Sequence, residues 1–176
     1  MNKNIALLAT VSAIAFATTA NALEFRPYVG AQYNYTKVDA EEVEPKLNSG
    51  SVFVGTEYNK YFSTEVFYQL SDDDTDNGVK VDFASYGLDA YAAQPLGCDQ
   101  VWSVFATAGI ANYDTDTKQA GEKGEDNGLG YRLGAGIEYD VTNNFAIRAL
   151  GRYIWTDKLD GVDNFTEFSL GAKYTF

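Results

Sequence analysis

The chain has 176 residues and a formal net charge of −12, with 13 Tyr and 11 Phe but one cysteine and no histidine. This length is that of one domain, and so acidic a balance speaks against a nucleic-acid partner. Cys98 alone excludes an intramolecular disulfide, and the missing histidine removes the commonest general base and a common metal ligand.

Residues 1–22 open with Lys3, continue through an apolar run from Ile5 to Ala17 and end on Ala20-Asn21-Ala22. That is the pattern of a cleaved secretory signal peptide. The run falls short of the roughly 20 residues a spanning helix needs. Cys98 does not follow the cleavage site, so a lipid anchor is not indicated. Residues 23–176 contain no long uninterrupted apolar run, so a membrane could be crossed only by a closed barrel.

Alternation with period two predicts strands near 25–36, 51–60, 62–71, 82–92, 101–112, 129–141, 145–155 and 165–176. The first sets Pro27, Val29, Ala31, Tyr33 and Tyr35 against Arg26, Tyr28, Gly30, Gln32 and Asn34. In the second and third, Val52, Val54, Val66, Tyr68 and Leu70 oppose Phe53, Gly55, Glu57, Glu65, Phe67 and Gln69. The fourth and fifth place Leu88, Ala90, Val104 and Ile110 opposite Ser85, Gly87, Asp89, Thr107 and Gly109. In the sixth and seventh, Leu129, Tyr131, Leu133, Ile137, Ile147 and Trp155 face away from Arg132, Glu138, Arg148 and Arg152. The last alternates Phe168, Leu170, Ala172, Tyr174 and Phe176 with Glu167, Ser169, Gly171 and Lys173. Eight such segments predict an all-β fold, an eight-stranded antiparallel up-and-down transmembrane barrel.

A soluble barrel would turn the apolar face inward, a membrane barrel outward. Glycine decides between them. Gly30, Gly55, Gly87, Gly109, Gly130, Gly134, Gly136 and Gly171 share the face of the charged residues, whereas Gly151 falls on the other. A lumen of eight strands is cramped and requires small residues, so the charged face is the inside. It holds Glu57, Glu65, Asp89, Glu138 and Glu167 with Arg26, Arg132, Arg148, Arg152 and Lys173. The signs balance, as burial of charge demands. Glu138 and Arg148 are equally distant from Asn143, which predicts a cross-strand ion pair within the lumen.

The connections 37–50, 72–80, 113–128 and 156–164 carry 16 acids against 6 bases, most of the net charge. Tyr33, Tyr58, Trp102, Tyr139, Trp155 and Tyr174 are expected near strand ends as interfacial girdles. The run Asp72-Asp73-Asp74-Thr75-Asp76-Asn77-Gly78 has the look of a calcium loop, but Ala84 stands where the bidentate Glu belongs, so no metal site is assigned.

The segments Gly134-Ala135-Gly136-Ile137-Glu138-Tyr139, Tyr153-Ile154-Trp155-Thr156 and Phe168-Ser169-Leu170-Gly171-Ala172-Lys173-Tyr174-Thr175-Phe176 resemble the OmpA-like transmembrane domain. The resemblance implies a bacterial outer-membrane location, lipid and lipopolysaccharide neighbours, and a lumenal Glu and Arg at Glu138 and Arg148. It also makes Phe176 a signal for the barrel-assembly machinery. The sequence departs from the full-length family pattern in ending at the barrel, without a peptidoglycan-binding domain. Three functions compete: a structural or adhesin-like barrel whose acidic loops meet host or surface ligands, a narrow porin for small solutes or ions, and an outer-membrane enzyme. Without histidine a Ser, Thr or Asp site lacks its usual activating partner, so no enzyme and no cofactor is expected. An interior filled by eight strands' side chains disfavours steady conduction.

Overall fold

The computed structural model describes residues 25–38, 46–71, 74–76, 79–119, 122–157 and 164–176. The expected signal peptide, residues 1–22, lies outside them, as does part of the acidic run 72–78. Among the described residues are nine strands: β1 Arg26–Val38, β2 Lys46–Glu57, β3 Phe62–Ser71, β4 Asp74–Asp76, β5 Val79–Leu96, β6 Trp102–Gln119, β7 Glu122–Asp140, β8 Phe145–Asp157 and β9 Asn164–Thr175. The short β4 and the longer β3 both pair with β5, so they are successive parts of one stave and the barrel has eight. All pairings are antiparallel, and β1 joins β9 as β3 joins β5, which closes the ring. Closure satisfies every ladder hydrogen bond within the sheet, the condition for crossing hydrocarbon.

The connections at one end are short and internally bonded. In the β2–β3 turn the Asn59 side-chain oxygen accepts from the backbone N–H groups of Tyr61 and Phe62 at 2.7 and 3.0 Å. In the β7–β8 turn Thr142 Oγ1 accepts from Phe145 N at 3.0 Å. Between β5 and β6 the chain turns through Gly97 at φ 75°, a left-handed conformation that favours glycine. By the usual arrangement of such barrels this end faces the periplasm.

At the opposite end the strands overrun the expected boundaries, most of all in β6 and β7 and next in β2. The connection expected over 113–128 is largely a two-stranded ladder, running from Tyr113↔Gly128 to Gln119↔Glu122. Alternation of apolar residues marks only the part of a strand that touches lipid. Above the membrane the ladder needs backbone hydrogen bonds alone, so it continues where the sequence pattern stops.

Outward positions carry Val52, Leu70, Leu133, Ile137 and Leu170, all exposed. Inward positions carry the buried Tyr28, Phe53, Phe67, Tyr91, Phe105 and Tyr113 beside the charged groups. The rings of Trp102 and Tyr139 meet at a tilt, 4.6 Å apart near the short-turn end, and those of Tyr153 and Trp155 meet edge to face at 4.6 Å toward the other. Tyr33 departs from the expected girdle: it sits between Gly50 and Leu170, within the lipid-facing stretch.

Interior glycines make room for neighbours. A Cβ on Gly109 would strike the Asp89 carboxylate and the Leu88 carbonyl, and one on Gly136 the Phe105 ring. The outward Gly50 has nothing within 4 Å, and Gly151 meets only Phe168, at an ordinary 3.6 Å. Gly109→Ala is therefore expected to lower unfolding stability by about 1–3 kcal/mol, and Gly50→Ala to change it by roughly 0.5 kcal/mol or less. Urea unfolding of the two variants in lipid vesicles measures this; equal effects would contradict the inward assignment of Gly109.

Candidate functional site: the charged lumen

Among the described residues, the ten charged side chains that period two assigns to the inner face line the barrel interior and its rim, and they sort into two tiers. The inner tier holds Arg132, Arg148 and Arg152 with Glu65, Asp89 and Glu167. None of these six is more than 4% exposed. Arg148 forms a bidentate pair with Glu65, Nη1–Oε2 2.8 Å and Nη2–Oε1 2.9 Å, and also donates to Gln32 at 3.1 Å. The Tyr28 and Tyr91 hydroxyls donate to Glu65 at 3.3 and 3.2 Å, so its carboxylate is fully engaged. Bidentate, charge-assisted geometry of this kind is the strongest available to an ion pair.

Arg152 reaches Asp89 at 3.2 Å and Glu167 at 3.1 Å. It also donates to the Tyr91 hydroxyl at 3.1 Å. Tyr91 thus accepts from Arg152 and donates to Glu65, which links the two clusters. Gln69 completes the cage, donating to Glu167 and to Ser49 at 2.8 Å each.

Arg132 is held differently. Its Nη2 lies 3.5 Å from Asp89 and 3.7 Å from Glu167, within ion-pair range, yet no guanidinium nitrogen meets hydrogen-bond geometry. Its guanidinium stacks over the Phe67 ring at 3.9 Å, as that of Arg148 does over Phe53 at 3.9 Å. Each ring thus provides a π face beneath a buried cation.

The rim tier, toward the short turns, holds Arg26, Lys173, Glu57 and Glu138. Lys173 Nζ bridges Glu57 at 2.9 Å and Glu138 at 2.7 Å, and Arg26 lies 3.4 Å from Glu57. A vestibule of about 550 Å³ opens at this end, with Tyr28, Tyr91 and Arg148 among its lining.

A closed ring of eight antiparallel staves, apolar outside and charged inside, is the architecture of the small outer-membrane barrels. Residues 6–176 match the family described as outer membrane protein beta-barrel domain. The chain belongs to that family.

Solved structures of similar fold include Neisserial surface protein A, 20% identical with a TM-score of 0.74, covering 85% of this chain and 97% of that one. Ail, the attachment invasion locus protein of Yersinia pestis, solved with the heparin analogue sucrose octasulfate, is 18% identical with a TM-score of 0.64, over 88% and 100%. Outer membrane protein H of P. aeruginosa is 22% identical with a TM-score of 0.61, over 86% and 99%. These likenesses are of fold. No protein of curated function matches the chain. An outer-membrane barrel it is, in the bacterial outer membrane.

One expectation is corrected. Glu138 and Arg148 are Cα partners in the β7–β8 ladder, yet their side chains do not pair. Arg148 goes to Glu65 on β3 and Glu138 goes to Lys173 on β9. In a narrow closed barrel an inward side chain meets the far wall as readily as its ladder neighbour, so long guanidinium and ammonium groups find partners several staves away. The sequence reading also assigned no role to Tyr91, Gln32 or Gln69. Their signal was available, since Tyr91 stands two residues beyond Asp89 and Gln69 four beyond Glu65, on the same face.

Removing one partner of a buried pair leaves the other charge stranded. Glu65→Ala is accordingly expected to lower stability by about 3–5 kcal/mol, less where lumenal water enters. A double-mutant cycle on Glu65 and Arg148 should give strong coupling, and one on Glu138 and Arg148 little. Unfolding of both cycles in vesicles checks this, and the reverse ranking would refute the observed pairing.

Proposed function

We propose that this outer-membrane barrel is a structural and surface-interacting protein, adhesin-like in its use of extracellular acidic segments, with a lumen closed by its charge network. The observation that carries the reading is the inner tier, in which three arginines and three carboxylates lie buried in mutually neutralising contacts across the barrel. The role asks for no catalytic group and no cofactor. Residues 1–22 serve as the export signal, leaving 23–176 as the barrel.

Phe176, outward and exposed next to Tyr174 at the end of β9, acts in this reading as part of the signal for the assembly machinery. The acidic connections meet a cationic host or surface ligand, or lipopolysaccharide phosphates through divalent ions. Their charge disfavours a polyanion of the kind bound to Ail.

A narrow porin is the second reading, favoured by the vestibule that reaches Arg148 from the periplasmic side. Planar-bilayer recording separates the two. The parent barrel is expected to show little steady conductance, and Glu65→Ala with Arg148→Ala to show more; a large steady pore in the parent would establish the porin reading instead. For Phe176→Ala, yield in the outer membrane is expected to fall although refolding in detergent is retained. Normal yield in cells would remove the assembly role.

A further inference from the structure

The seam that joins the last strand to the first ends in an irregular way. β9 lies between β8 and β1, and its last hydrogen bonds fall one step past the ladders, with Thr175 opposite Asn144 and Phe176 opposite Pro27. A hydrogen-bonded pair of an antiparallel ladder exchanges two N–H···O bonds. Neither of these pairs can do so through the backbone alone. Pro27 has no N–H to give, so the rung across the seam is the single bond from Phe176 N–H to the Pro27 carbonyl, at 2.9 Å. On the other side Thr175 N–H donates to the Asn144 carbonyl at 2.8 Å, but the Asn144 N–H turns into the β7–β8 turn, where Thr142 Oγ1 accepts it at 3.3 Å. The Asn144 side chain supplies the missing bond, its Nδ2–H donating to the Thr175 carbonyl at 2.7 Å.

That carbonyl and the Phe176 N–H belong to one planar peptide unit. Holding its oxygen toward β8 aims its N–H at Pro27, so the Asn144 amide governs, through one rigid group, the bond that ends the β1–β9 ladder. The turn itself does not need this side chain. Asparagine is frequent in turns because it tolerates a left-handed backbone or bonds its own turn, yet among the described residues only Gly97 and Gln100 have positive φ. The N–H groups of the β7–β8 turn are met by Thr142 Oγ1 and the Phe145 carbonyl. The β2–β3 turn is the contrast, since there the Asn59 side chain bonds Tyr61 and Phe62 of its own turn. Arg26 of β1 also reaches the Asn143 carbonyl, at 3.2 Å in an exposed contact, as a tie separate from the 175–176 peptide.

We propose that Asn144 is the latch of the closing seam, a positioning residue that holds the periplasmic end of β9 against β1 through the 175–176 peptide. Latched, the Thr175 N–H, the Thr175 carbonyl and the Phe176 N–H are all engaged, which withdraws them from pairing with a strand of any other molecule. Unlatched, the terminal peptide leaves Pro27 and the seam opens from this end while the turn stays formed. The inference rests on the closed ring and holds whether or not Phe176 is itself an assembly signal.

Amide hydrogen exchange, read residue by residue by NMR on the full-length barrel refolded in detergent micelles, tests it. Each variant is first shown to be closed by its faster migration when unheated. Asn144→Asp keeps the size and turn preference of the residue and removes the donor. It is expected to speed exchange of the Phe176 amide by about fivefold or more, the effect of one lost hydrogen bond, while the Phe145 amide, held within the turn, keeps its protection. Asn144→Ala, which adds no charge, should do the same. Asn143→Asp places the new charge one residue away and should leave both amides as they are. Unchanged protection of Phe176 in both Asn144 variants would overturn the proposal, as would equal release of Phe176 by Asn143→Asp. Loss of protection at Phe145 together with Phe176 would also overturn it, by making Asn144 a residue of the turn alone.

Discussion

Everything in this molecule depends on the closure of its sheet. A strand edge left open in hydrocarbon would expose a row of unpaired amides, so β3 must meet β5 and the ring must be complete. Completion fixes two faces of opposite character. The outer wall lies in a solvent that rewards apolar side chains, while the inner one lines a narrow bore in which polar and charged groups are almost wholly buried. Many of those groups take their partners from one another, and Glu65 accepts from Arg148, Tyr28 and Tyr91 at once. The same narrowness accounts for the glycines, since Gly109 stands where the Asp89 carboxylate needs room.

The interior is organised by sharing as much as by pairing. Asp89 and Glu167 each face two guanidinium groups, and Lys173 faces two carboxylates. The phenol of Tyr91 joins the clusters of Arg152 and Arg148. A network built this way has no independent parts. Its cost is the desolvation of six inner charges that must all be in place together.

How much of this the sequence disclosed follows from which period each feature obeys. Strand positions, the sidedness of the wall and the identity of the ten inward charges all follow from alternation, and residues such as Leu133 and Arg132 fall on the faces that it assigns. Partner choice follows only in part: Arg152 and Glu167, and Arg26 and Glu57, pair with their ladder neighbours, but others reach across the barrel. Arg148 and Glu65 are separated by 83 positions and by several staves, and nothing local in either segment points to the other. Ladder neighbours such as Glu138 and Arg148 are legible from a hairpin's symmetry, but a ladder specifies Cα positions and not where long side chains end. The upper strand limits were illegible for a different reason, because the backbone keeps pairing after the requirement for apolar residues has ended.

That continued pairing bears on how the exposed surface can vary over evolution. The β6–β7 ladder keeps its register out to Gln119↔Glu122, so the projection on this side is a continuation of the barrel wall. A single inserted or deleted residue within it would exchange the two faces of everything beyond. This region can change its side chains one at a time, yet it cannot readily change its length. The protein should therefore diversify there by substitution, and tolerate insertions only where no ladder has to be kept.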